Sequence, residues 1–442
     1  MSHFYRLLAF VTVTLLATEN LTRAQGIEVP PREPQGLFGG IRPNESASRR
    51  LDLSVSLIAG YDDDVPDELR PALDPSNQQS GGFSGTVDAR GTFTWRNPRT
   101  EFGASVSSMF RRAETGDLQG VAGYSAGAGF SRQLPGRFSL SLNQSATYSP
   151  TYMYGLFPVD ASTAPGAAPS TSLDYAVGRF ESYDHVTMLS LRRDFTRRNS
   201  FTAIGEYQFT DRLHETAFWN DITSYVARAE YVHNLARNTA LTGRARYRTG
   251  DYGYVGTGKT TEAGVDFGVD FTRPLSASKR TTVRFNAGAT RAEFPSVVTG
   301  FDRRIRGTGE LGFEYQFART WQARANLRRG VEYLVDLPTP VFADGVSAGV
   351  DGLLSRRVDL SMFVGYSDGA SVDNRDSLQI TTYTGNLRGR YALSRSLAVY
   401  LEYLRYYYNF RGSTPVLAGI PPRWDRSGVR AGLTLWVPTL GR

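Results

Sequence analysis

The sequence predicts an all-β chain that closes into a transmembrane antiparallel barrel of about 18 strands, with 16 also allowed and both termini periplasmic. Three observations carry this expectation. Apolar residues recur at every second position over most of the chain, the connections between such segments alternate short and long, and beyond the N-terminus no apolar stretch has the length of a membrane helix. A mean hydropathy of -0.34 resembles that of an ordinary soluble protein. In a barrel, however, only alternate residues meet lipid, so bulk hydropathy hides the membrane band.

The first element is an export signal, residues 1–24. Arg6 supplies the positive start, residues 7–17 are a short apolar run, and Thr22-Arg23-Ala24 ends on a small residue suited to cleavage. Residues 25–49, with Pro30-Pro31, Pro34 and Pro43, predict a flexible periplasmic lead segment without a core of its own. Residues 50–442 are assigned to the barrel. The absence of cysteine excludes disulfides, a lipoprotein anchor and thiolate-ligated metal.

The period of two begins at Leu51, where Leu51, Leu53, Val55 and Leu57 alternate with Asp52, Ser54 and Ser56. A second segment places Phe83, Val87, Ala89, Phe93 and Trp95 on one parity and Ser84, Thr86, Asp88, Arg90, Thr92 and Thr94 on the other. Sixteen further segments follow: 100–110, 121–132, 137–149, 181–193, 200–210, 222–235, 239–249, 260–272, 281–290, 303–317, 321–333, 345–354, 358–367, 379–392, 397–408 and 426–437.

Connections after even-numbered segments are short, as in Arg96-Asn97-Pro98-Arg99 and Ala236-Arg237-Asn238. Those after odd-numbered segments are mostly long, at 62–80, 150–180, 334–343 and 411–424. Short turns at one end and long loops at the other mark an outer-membrane barrel rather than a propeller or sandwich. Outward-parity aromatics gather near segment ends and predict two interfacial girdles: Trp95, Phe130, Phe138, Tyr148, Phe201, Phe209, Phe271, Tyr315, Phe317, Trp321, Tyr333, Tyr366 and Tyr391.

The opposite parity would then line a lumen, and it carries charge of both signs. The predicted lining residues are Arg228, Arg244, Arg246, Arg248, Glu262, Asp266, Asp270, Arg284, Arg306, Arg324, Arg328, Arg388 and Arg390. Cross-strand pairing would let these charges coexist in a wall, whereas unpaired guanidinium groups would give the lumen a positive field. Tyr152, Tyr154, Phe157 and Asp160, within the longest connection, are candidates for a constriction. Tyr406, Tyr407 and Tyr408 form a further cluster that suits either a sugar-guiding surface or a girdle.

Catalytic signals are sparse. The histidines are His3, His185, His214 and His233, with no metal-ligand spacing, and Asp211, His214 and Glu215 lack an accompanying nucleophile motif. The run 256–260 is similar to a phosphate-binding loop but lacks its leading glycine and βαβ setting. No enzyme activity, cofactor, metal or nucleic-acid partner is therefore expected.

The alternating segments, exemplified by 261–271 and 429–437, resemble the β-barrel porin families of Gram-negative envelopes, some of which are associated with exopolysaccharide export. The resemblance extends from Leu51 to Val437 and is architectural. It implies residence in the outer membrane among lipid and lipopolysaccharide, insertion by the barrel-assembly machinery, and a channel for small or anionic solutes. Export of an acidic exopolysaccharide with polysaccharide-export components is the larger-cargo version; a non-conducting structural or adhesive barrel and a barrel hydrolase are the alternatives. The oligomeric state is left open. Many such barrels end in an aromatic residue, but this chain departs by ending Trp436-Val437-Pro438-Thr439-Leu440-Gly441-Arg442.

Overall fold

The computed structural model describes residues 48–63, 81–113, 120–152, 178–212, 219–254, 259–276, 279–296, 300–317, 320–333, 340–372, 378–412 and 422–441. The first six strands are β1 (Arg49–Asp62), β2 (Gly82–Asn97), β3 (Thr100–Ala113), β4 (Val121–Leu134), β5 (Phe138–Tyr152) and β6 (Gly178–Asp194). The next six are β7 (Asn199–Arg212), β8 (Trp219–Ala236), β9 (Thr239–Tyr254), β10 (Thr260–Ser276), β11 (Lys279–Ser296) and β12 (Gly300–Gln316). The last six are β13 (Gln322–Glu332), β14 (Val341–Leu353), β15 (Val358–Ser371), β16 (Gln379–Ala392), β17 (Leu397–Arg411) and β18 (Arg423–Gly441).

Each strand pairs antiparallel with its sequence neighbours, and β18 returns to β1, giving one closed 18-stranded sheet. Closure gives every strand a partner on both sides, interrupted where β12 from Gly300 to Thr308 has no partner on β13. Arg50 pairs with Gly441 and Asp62 with Gly428, so the first strand starts and the last strand finishes at the same end, the end of the short turns. The β4–β5 turn is representative. Gly136 and Arg137 take successive left-handed conformations, φ 77° and 63°, which turn the chain between Leu134 and its partner Phe138.

Side-chain alternation divides the sheet into two surfaces. Phe267 is 70% exposed, Ile305 72% and Leu401 61%, all on the outside, as are Leu53, Val55 and Leu57. Such a continuous apolar exterior suits hydrocarbon and would be an aggregation hazard in water. Tyrosines ring this band near the long-loop end, with contacts Tyr124–Tyr148 at 6.1 Å, Tyr148–Tyr183 at 5.0 Å, Tyr366–Tyr383 at 4.8 Å and Tyr383–Tyr407 at 5.5 Å between ring centroids. Near the short turns, Tyr315, Phe317 and Trp321 make a second run of rings 5.9 Å apart.

The strands run several residues further toward the long loops than alternation predicts. β5 includes Pro150, Thr151 and Tyr152, β14 opens at Val341, and β18 opens at Arg423. Hydrogen-bonded pairing needs no apolar partner, so it continues after the hydrophobic pattern has stopped at the edge of the band. Pro150, lacking an N–H, falls at a register shift between Ser149 and Thr151, where its absent donor disrupts least.

Candidate functional site

The inner surface of β7 to β13 is a lattice of guanidinium and carboxylate groups, built by the register of neighbouring strands. Arg228 and Arg246 stand directly opposite each other across β8 and β9. Like charges in that position repel, and each turns to the far side. Arg228 donates to Glu206 on β7 at 2.8 Å, while Arg246 lies 3.9 Å from Glu262 on β10. Arg244 donates to Glu230 at 2.8 Å. Glu262 also accepts a hydrogen bond from Thr290 of β11 at 3.2 Å.

One bridge spans a whole strand. Asp266 on β10 accepts from Thr308 on β12 at 3.0 Å, passing over Gly288 of β11, which pairs with both residues. A side chain at 288 would overlap the carbonyl oxygen of Val265 and the carboxylate of Asp266. The glycine is thus the condition for that bridge.

Further round the wall, Arg324 pairs with Asp351 at 2.6 Å, Arg328 lies 3.4 Å from Glu332, and Arg390 contacts Asp359 at 2.7 Å. Three arginines face inward without an ion pair among the described residues. Arg284, opposite Asp270 in register, is exposed to the lumen. Arg388 lies 4.2 Å above the Tyr400 ring, and Arg306 donates to the backbone carbonyl of Val372 at 3.1 Å. All thirteen residues assigned to the lining from sequence stand on the inward parity of their strands.

The candidate constriction falls differently. Tyr152 is the last residue of β5, its backbone paired with Gly178, rather than part of a loop. Tyr154, Phe157 and Asp160 lie outside the described residues. Structure shows a different inward element at the rim of β13 to β15. Pairing of β12 with β13 stops at Gly309–Arg329, whereas β11 and β12 stay paired to Ser296–Gly300. Beyond that point Val331, Phe342 and Val372, all of outward parity, pack against Ala292 and Phe294, which are of inward parity on β11. Tyr333, expected in a girdle, belongs to this contact instead. Arg248 of β9 sits 5.0 Å from its ring centroid, on the inner surface of the wall.

Two further features go beyond what alternation predicts. At the long-loop end Asp62 is shared by Arg111 at 2.5 Å, Arg426 at 2.8 Å and Arg430 at 3.8 Å, all four nearly inaccessible. Alternation assigns Asp62 to the connection 62–80 and ends the third segment at 110, one residue short of Arg111. Extending the inner parity by one step on β1 and β3 would have exposed both. The tyrosine run also splits by parity: Tyr407 joins the outer girdle with Tyr383, while Tyr406 and Tyr408 are buried inside with Trp424.

The histidines do not converge. His185 is on the outer surface, bonded to Gln144 at 2.7 Å, and His233 is bonded to Asn199 in the β7–β8 pair near the short turns. His214 and Glu215 lie outside the described residues. Among the described residues no cluster of three potential metal ligands occurs.

No protein-family model matches the chain, and no curated protein matches it. Solved structures to which the chain is similar include OccAB2 of Acinetobacter baumannii, with a TM-score of 0.47, 9% identity, and coverage of 89% of this chain and 98% of that one. OccK2 (OpdF) of Pseudomonas aeruginosa has a TM-score of 0.45 at 9% identity, covering 88% of this chain and 98% of its own. OpdK from the same organism, solved with vanillate, has a TM-score of 0.43 at 8% identity, covering 88% and 99%.

Proposed function

We propose that this chain is an outer-membrane channel that passes small anionic solutes. An 18-stranded barrel is wide enough to hold an aqueous path, unlike eight-stranded barrels whose interiors are filled by side chains. The observation that carries the charge preference is the set Arg284, Arg306 and Arg388, inward-facing guanidinium groups with no carboxylate partner among the described residues. Fixed charge in a confined low-dielectric wall concentrates counter-ions of opposite sign. The paired arginines contribute much less, because their carboxylates cancel the field at short range.

The apolar exterior and its two aromatic girdles support residence in a bilayer, and the N-terminal export signal supports delivery to the outer membrane. Reconstitution of the purified barrel into planar bilayers under a potassium chloride gradient tests the reading. The expected result is stepwise conductance with a reversal potential displaced toward that of chloride. Displacement toward potassium sinks it, as does a bilayer that stays silent both for the wild type and for variants of the lumen wall.

A further inference from the structure

The rim of β13 to β15 departs from the rule that governs the rest of the barrel. In a plain cylinder, outward-parity residues meet the surroundings. Here Val331 is 2% exposed and Val372 0%, and both pack on Phe294 and Ala292, inward residues of β11 that are themselves 0% exposed. Arg306, inward on β12, reaches the backbone of Val372 at 3.1 Å and lies 5.8 Å from the Phe342 ring centroid. Tyr333, just past β13, meets Arg248 of β9. An outer surface resting on an inner surface places the rim on the lumen side of β9 to β12.

We infer that this tucked rim is the constriction of the channel, and that Phe294 and Arg306 are the positioning residues that hold it in the lumen. The inference rests on the channel reading above. Tyr333, just past the tip of β13, meets Arg248 of the facing wall across the junction, and Glu332 at the tip is 5% exposed and 3.4 Å from Arg328. The same contact explains why Arg306 spends a donor on a backbone carbonyl rather than on a carboxylate. That bond secures the end of β15 across the two intervening strands.

Wild-type protein and the variants Phe294→Ala, Arg306→Gln and the double variant are refolded in detergent and inserted in planar bilayers. Single-channel steps and the size of neutral polymer that enters the pore are both recorded. The polymer cut-off reads cross-section independently of the charge removed with Arg306. Loss of either hold should enlarge the cut-off and raise the step by about two-fold or more, most strongly in the double variant. Equal steps and equal cut-offs in a conducting wild type and its variants overturn the inference while leaving the channel reading intact. A silent wild type with conducting variants makes the rim a closed plug, which supports the inference and corrects the resting state of the channel. Silence throughout sinks both. Should Phe294→Ala fail to fold, Arg306→Gln removes the bond to Val372 and the contact with Phe342, and the neutral-polymer cut-off, which does not respond to the lost charge, decides the matter.

Discussion

Arg111 of β3 donates to the carboxylate of Asp62 of β1 at 2.5 Å, reaching past β2 to do so, with both side chains almost wholly enclosed. Arg426 and Arg430 of β18 converge on the same carboxylate, so Asp62 ties the first strand to both the third and the last. Replacing one member of a buried pair strands its partners, a cost of about 3–5 kcal/mol. Asp62→Asn should therefore lower the unfolding midpoint of the refolded barrel markedly in a urea titration. An unchanged midpoint would show that the cluster contributes nothing to closure.

Arg284 and Arg390 should respond in opposite ways. Arg284 faces the lumen without an ion pair among the described residues, so Arg284→Gln should shift the reversal potential toward potassium with little effect on stability. Arg390 is 6% exposed and bonded to Asp359 through both Nε and Nη2. Arg390→Gln should destabilise by about 3 kcal/mol and leave selectivity nearly unchanged. If the two substitutions move selectivity equally, pairing does not determine which arginines act on the solute.

Outward and inward positions should tolerate charge unequally. Phe267 is 70% exposed on the outer band, and arginine there should cost about 2–4 kcal/mol of folding stability in lipid. Thr92, on the inner parity of β2 opposite Asp52, is exposed to the lumen, and Thr92→Arg should fold almost as wild type. Comparing the yield of folded, heat-modifiable protein in lipid vesicles separates the two cases. Equal tolerance would refute the assignment of the apolar surface to hydrocarbon.

Gly288 permits the bridge from Asp266 to Thr308. Gly288→Ala would press a methyl group into the Val265 carbonyl, so β10 and β11 must separate locally. Overpacking of this kind costs about 1–3 kcal/mol. Gly85 has open space around its missing Cβ and provides the control, since Gly85→Ala should be nearly neutral in the same denaturation assay. Identical midpoints for the two variants would dismiss the close approach.

Much of the fold is legible because strand formation and facing are local. The segments predicted at 379–392 and 397–408 correspond to β16 (Gln379–Ala392) and β17 (Leu397–Arg411), and the strand count agrees. Alternation also placed Arg244, Arg246 and Arg248 on one surface, because a period of two needs no knowledge of the partner strand. It could not say that Arg244 would find Glu230 or that Arg246 would turn to Glu262. Those choices depend on register, which is set between strands.

The sequence by itself therefore determined a closed antiparallel barrel with a greasy outside and a charged inside. Only the tertiary structure decided that Asp62 meets Arg426, 364 positions away, and that Val372 lies beneath Arg306. The physical reason is that parity is a property of consecutive residues, whereas the contact of Val331 and Val372 with Phe294 forms between distant strands, where pairing of β12 with β13 has stopped.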